Sequence, residues 1–143
     1  MAKEKLTISE RGLQLLKAFE GCRLTAYWDV NGYSIGYGHH AASIKKGDKI
    51  TQAKANEYLK KDLAKFEKAV NALKYELTQG QFDALVDFTY NCGAGNLKRL
   101  TADNTRTLTQ ISAKLPEYCK AGGIPIASLK NRRYAEKKLF DEG

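Results

Sequence analysis

Asn31 and Gly32 separate two short runs, TAYWDV (25–30) and YSIGYG (33–38), both rich in aromatic and β-branched residues. Asn-Gly between two such runs is the strongest short-range hairpin signal, because a type I′ turn needs two residues that tolerate positive φ. In a two-residue loop, the register pairs Val30 with Tyr33, Asp29 with Ser34 and Trp28 with Ile35. Asp29 and Ser34 then become direct cross-strand neighbours on one face. A slip by one residue would send them to opposite faces.

The rest of the chain carries helical periodicity. Thr7 and Glu10 have capping-box spacing, and Leu13, Leu16 and Glu20 follow at i, i+3 and i+7. This predicts a helix over about residues 8–20, stopped by Gly21 in the C′ position. From Thr51 onward, Leu59, Leu63, Phe66, Val70 and Leu73 mark one long amphipathic helix. Thr78 and Gln81 repeat the capping box and open FDALVDFTYN, which ends at Gly93 and Gly95. A weaker helix covers about 105–115 before Pro116, AGGIPIAS reads as a loop, and Ser128 caps a final basic helix to about Phe140. The predicted fold is α+β: a small N-terminal β-hairpin region and a mainly helical C-terminal lobe, with a cleft where they meet.

At 143 residues the chain is expected to form one domain, 1–143, burying roughly 68–70% of its unfolded surface. With 43% hydrophobic and 28% charged residues it falls outside the disordered class. The sequence holds no run of 18 apolar residues, which argues against membrane insertion. Its N-terminus, MAKEKLTISERG, has no apolar h-region, so the chain is expected to remain in the cytoplasm where it is made. Cys22, Cys92 and Cys119 form no CxxC pair and fit neither a disulfide framework nor a zinc site. They read as buried or half-buried thiols of a reducing compartment. A net charge of +8 asks for anionic surroundings: nucleic acid, a membrane surface or a cell-wall polymer. The basic residues form no long block and do not alternate with aromatics as a single-strand groove would, so charge alone selects no partner.

Glu20 ends an apolar stripe and is therefore partly desolvated, which suits a proton donor. Asp29 lies in a polar hairpin and suits the complementary role of base, nucleophile or charge stabiliser. Two carboxyls in unlike environments are what glycoside hydrolysis requires, and Ser34 beside Asp29 supplies a hydroxyl to hold a water. On the pattern alone, a helix-end Glu paired with a nearby Arg and a surface Asp beside a turn is the commoner explanation.

The run FEG-R-TAYWD--GY-IGYGH resembles the phage-type lysozymes, the endolysin muramidases of glycoside hydrolase family 24. The spacing of Glu20 to Asp29 and of Ser34 to His39 is similar to that family's Glu-to-Asp and Thr-to-His spacing. QFDALVDFTYNCGAG looks like its helix and glycine turn, and LKNRRYAEKKLF like its Arg-rich last helix. The resemblance covers nearly the whole chain in order. It implies cleavage of the β-1,4 bond between N-acetylmuramic acid and N-acetylglucosamine in peptidoglycan, with Glu20 as general acid. Asp29 and Ser34 would activate or position the attacking water or stabilise charge on the sugar. It implies no metal or organic cofactor, and a monomer that leaves the host cytoplasm through a holin pore to reach the wall.

Two departures stand out: Ser34 replaces the family's Thr and loses the β-methyl that restricts its rotamer, and the Asp29–Ser34 stretch is one residue shorter. Candidate substrate contacts are His39, Tyr37, Asn91, Gly93 and Arg133. His39 is structural in the family's pattern, Tyr37 and Trp28 would stack on sugars or fill core, and Asn91 with Gly93 and Gly95 would meet acetamido groups. Arg133, or Arg132, would pair with Glu20. Adjacent His39 and His40 point to opposite sides of a strand and make a poor metal site. Anionic wall polymers would be held by the positive surface. Three rival readings are a nucleic-acid-binding helical protein, which lacks a recognisable reading motif, a non-catalytic wall-binding relative, and a lytic transglycosylase that needs the Glu alone.

Overall fold

The computed structural model describes residues 4–143; the first three residues of the stretch read above for a leader lie outside the described residues. The element order is α1 (Glu10–Glu20), β1 (Arg23–Asp29), β2 (Gly32–Gly36), β3 (His39–His40), α2 (Gln52–Asn71), α3 (Gln79–Cys92), α4 (Ala94–Leu100), α5 (Leu108–Lys114), a 3₁₀ turn (Leu115–Glu117), β4 (Lys120–Ala121), β5 (Ile124–Pro125) and α6 (Ala127–Glu142). The chain divides into two compact units: Leu16–Lys65, and the flanking sequence up to Leu15 and from Phe66 onward.

The first unit holds the three-stranded antiparallel sheet β1-β2-β3. Leu16, Ile35, Tyr37, Ile44, Ala55, Leu59 and Leu63 are its buried apolar side chains among the described residues. The spacing 55, 59, 63 is the predicted stripe of α2, and Thr51 Oγ1 caps that helix by accepting from the Lys54 amide at 3.1 Å. The free edge of β1 is covered by the segment before α2: the Ala26 amide donates to Asp48 O and the Ile50 amide to Leu24 O, both at 2.8 Å.

The hairpin differs from its expected register. Asp29 pairs with Gly32, Trp28 with Tyr33 and Tyr27 with Ser34, so the loop residues are Val30 and Asn31. Neither has positive φ, as expected where β-branched Val30 occupies a central turn position. The observed register sets Trp28 against Tyr33 edge-to-face, with ring centroids 5.3 Å apart, a favourable cross-strand pair. The type I′ geometry occurs instead at Gly122-Gly123, with φ of 58° and 81°, which closes β4-β5 where the sequence reads as a loop.

In the second unit, the Thr78–Gln81 capping box forms as expected, and Thr107 with Gln110 forms another. Three expectations fail. α1 is capped by Ser9, whose Oγ accepts from the Gly12 amide at 3.3 Å, rather than by Thr7. Gly93 ends α3 but also opens α4, which the sequence reading treats as turn. α6 starts at Ala127 after Ile126, without a side-chain cap from Ser128.

The core of this unit contains charge. Arg132 clasps Asp87 through Nε and Nη2 at 2.9 and 2.8 Å, and both side chains are buried. Arg133 and Glu136 are fully buried and paired at 2.7 Å. Such pairs are costly to break because the survivor is left as an uncompensated buried charge. Burial raises the Glu136 carboxyl well above 4.5, the adjacent Asp87 adds to this, and Arg133 and Arg132 oppose it. The folded chain thus holds this proton more tightly than the unfolded chain. Its stabilising contribution is full below about 4.5 and is lost as pH rises through the raised value. Chemical denaturation of the Glu136→Gln variant is expected to show a weaker fall in stability than the parent as pH rises above about 4.5; an unchanged slope would contradict this.

Candidate active site

α1 ends on Glu20, and Gly21 takes φ 69°, a left-handed conformation that lets the chain turn sharply into β1. The turn aligns the helix end with the start of the strand. Glu20, Gly21, Cys22, Arg23, Tyr27 and Gly36 line a hollow of about 460 Å³. On its wall the Arg23 guanidinium lies over the Tyr27 ring, 4.7 Å from the centroid.

Asp29 and Ser34 share one sheet face as diagonal rather than direct neighbours. The observed register is displaced by two residues from the expected one, and side chains alternate with period two, so the displacement preserves the face. Ser34 Oγ donates to Asp29 Oδ2 at 3.3 Å. The Ser34 side chain is fully buried, whereas Asp29 is exposed.

Tyr27 joins these groups to the helix end. It lies directly opposite Ser34, and its phenol is raised above 10.0, first by burial and then by the Asp29 charge, with Glu20 adding and Arg23 and Ser34 opposing. It therefore keeps its proton at neutral pH and can donate a hydrogen bond. Glu20, Asp29 and Ser34 are thus brought together around one protonated phenol, which the sequence reading did not single out. A signal for it existed: Tyr27 is two residues before Asp29 and must share its face.

The two histidines separate as expected. His39 Nδ1 meets Asp62 Oδ2 at 2.9 Å and its ring stacks on Tyr58 at 4.1 Å, which ties β3 to α2. His40 instead lies opposite Ser34 in the β2–β3 ladder. Tyr37 is 8% exposed, with its hydroxyl accepting from Gln52 Nε2 at 3.0 Å; Trp28 is 65% exposed. Asn91, Gly93 and Arg133 belong to the helical unit. Arg133 is fully buried, with its guanidinium against Glu136, the Cys92 sulfur and the Phe88 ring face. Space in front of Gly93 and Gly95 is open: an added Cβ at either would meet nothing within 4 Å. Among the described residues, no group of His, Cys, Asp or Glu is placed to hold a metal ion, and no helix is long and apolar enough to cross a membrane.

The phage lysozyme family model matches residues 17–136. This chain belongs to the phage lysozyme family. It is 39% identical to an endolysin of Bacillus phage PZA over 96% of its own length, but spans 56% of that protein. It spans 55% and 61% of two further endolysins, from Bacillus phage B103 and Lactococcus phage c2, a little over half of each. Among solved structures, the muramidase domain of SpmX from Asticcacaulis excentricus superposes with a TM-score of 0.83 at 34% identity, covering 94% of this chain and 97% of that one. The lysozyme-like α+β fold expected from the sequence is therefore present.

All three cysteines are free and partly accessible. Burial pushes the Cys92 thiol up, outweighing the nearby Arg133 and Arg132, so it yields little of the reactive thiolate. Cys22 lines the hollow beside Glu20. Limited alkylation of the folded protein, read by peptide mass mapping, is expected to label Cys22 well ahead of Cys92; the reverse order would contradict this arrangement.

Proposed function

We propose that this chain is the catalytic part of an endolysin: a muramidase that hydrolyses the β-1,4 bond between N-acetylmuramic acid and N-acetylglucosamine in peptidoglycan. The observation that carries the reading is that Glu20 and Tyr27 line one hollow, with Ser34 paired to Tyr27 and bonded to Asp29, on a chain of the phage lysozyme family. Glu20 donates a proton to the glycosidic oxygen as the bond to the anomeric carbon breaks. A water attacks that carbon, and Asp29, positioned by the bond from Ser34 Oγ, takes its proton. The Tyr27 phenol, hydrogen-bonded to Ser34 from the facing strand, helps hold that hydroxyl in place.

Secondary roles follow from placement. His39, tied to Asp62 and Tyr58, braces β3, and the packed Tyr37 supports the strand that carries Ser34. The open backbone at Gly93 and Gly95 lets an acetamido group approach Asn91, and Arg133 supports that helix end from within the core. The reaction needs no metal or organic cofactor. The net charge of +8 favours retention on walls rich in carboxylate and phosphate. In the whole protein we place the enzyme, as a monomer, in the host cytoplasm until a holin pore opens the way to the wall and lysis releases the phage.

Mass spectrometry of fragments released from purified peptidoglycan tests this. The parent is expected to yield reducing N-acetylmuramic acid ends, and Glu20→Gln to yield them at least about 10³-fold more slowly with its fold intact. Anhydro ends would identify a transglycosylase instead, and no fragments from either protein would leave a wall-binding module.

A further inference from the structure

Ser34 depends on a partner that the proposed mechanism leaves unused. His40 Nδ1 lies 3.0 Å from Ser34 Oγ, a shorter contact than the 3.3 Å from that oxygen to Asp29. The two residues are paired across β2 and β3, and the His40 ring lies over Gly32, where an added Cβ would sit 3.2 Å from Cε1. Three elements therefore meet at one hydroxyl.

The direction of these bonds follows from counting protons. An ionised Asp29 accepts and cannot donate, while a serine hydroxyl has one proton and two lone pairs. Ser34 gives its proton to Asp29, so the contact with His40 must carry the Nδ1 proton toward Ser34 Oγ. This uses one lone pair, and the Tyr27 phenol, hydrogen-bonded to Ser34 from the facing strand, completes the set around the buried hydroxyl. A water on the exposed Asp29 carboxylate can then give it a proton and turn its own lone pair outward for attack.

A serine side chain has three staggered χ1 wells and nothing on Cβ to choose between them, whereas a threonine's second heavy substituent limits the choice. The long bond to Asp29 is a weak restraint on this freedom. We propose that His40 is a positioning residue for hydrolysis: its Nδ1–H fixes the rotamer of Ser34 and aims the hydroxyl proton at Asp29. The inference rests on the muramidase reading, and on the strand pairing that delivers His40 to Ser34.

The test is a double-mutant cycle with soluble peptidoglycan oligosaccharides as substrate, kcat and KM being read separately. In the parent background, His40→Ala is expected to lower kcat about tenfold with KM little changed, and His40→Asn, whose amide can donate from nearly the same place, to recover most of the loss. In a Ser34→Thr background, whatever its own rate, the same His40→Ala change is expected to cost far less, because the added methyl already restricts the rotamer. A merely structural histidine would cost the same factor in both backgrounds, and that result would overturn the proposal, as would an unchanged kcat in His40→Ala. Turnover by the parent that is lost in Glu20→Gln establishes the underlying reading separately, so either of those results counts against His40 alone.

Discussion

The site depends on a helix that ends abruptly. Glu20 is the last residue of α1, and the left-handed turn at Gly21 sends the chain directly into β1. A longer helix would carry Glu20 away from the strand, and a residue with a Cβ at φ 69° would be strained there by about 1–2 kcal/mol. A second left-handed glycine, Gly36 at φ 69°, ends β2, and an added Cβ there would touch Ala55 at 3.4 Å. From Glu20 to Gly36 the chain lays out the whole carboxylate and hydroxyl set within one small unit. The acid comes from a helix end, and the Asp29–Ser34 pair from a sheet whose ladder bonds hold it. This division of labour suits chemistry that needs fixed groups.

The helical unit meets a different demand. Among the described residues it buries five carboxylate or guanidinium groups, Asp83, Asp87, Arg132, Arg133 and Glu136, beside leucine, valine and phenylalanine. The arrangement is tolerable because the geometry is close: two bonds from Arg132 to Asp87, and Arg133 held by Glu136, Cys92 and the face of Phe88. A core of this kind specifies one packing of α3 against α6 more strictly than an apolar one of equal volume, since any shift leaves a charge unpaired. It also makes stability depend on pH through Glu136, a residue remote in sequence from the proposed chemistry.

How much of this was legible in the sequence depended on how local each signal was. The capping box at Thr78, the stripe of α2 and the glycine after Glu20 are contained within a few residues, and all three were read correctly. The hairpin was found, but its register was not, because the aromatic pairing of Trp28 with Tyr33 outweighed the preference of Asn-Gly for a type I′ loop. The shared face of Asp29 and Ser34 survived this error because the displacement was even. α4 was missed because Gly93 reads as a stop when it is both a stop and a start. β4 and β5 were missed although Gly122-Gly123 carries the turn chemistry of a tight hairpin. His40 was the hardest to see: its place beside Ser34 depends on a strand of two residues and on glycines at 36 and 38 that turn the chain back.

The central proposal is that the scissile bond meets the hairpin unit at the hollow lined by Glu20, Tyr27 and Gly36. Titrating isotopically labelled Glu20→Gln protein with an N-acetylglucosamine–N-acetylmuramic acid tetrasaccharide, and following backbone amide resonances, tests it most directly. The account predicts the largest shifts between residues 20 and 40, centred on Tyr27 and Gly36. Shifts confined to the hollow of about 400 Å³ between α5 and α6, around Leu108, Ser112 and Lys137, with the hairpin unmoved, would contradict it.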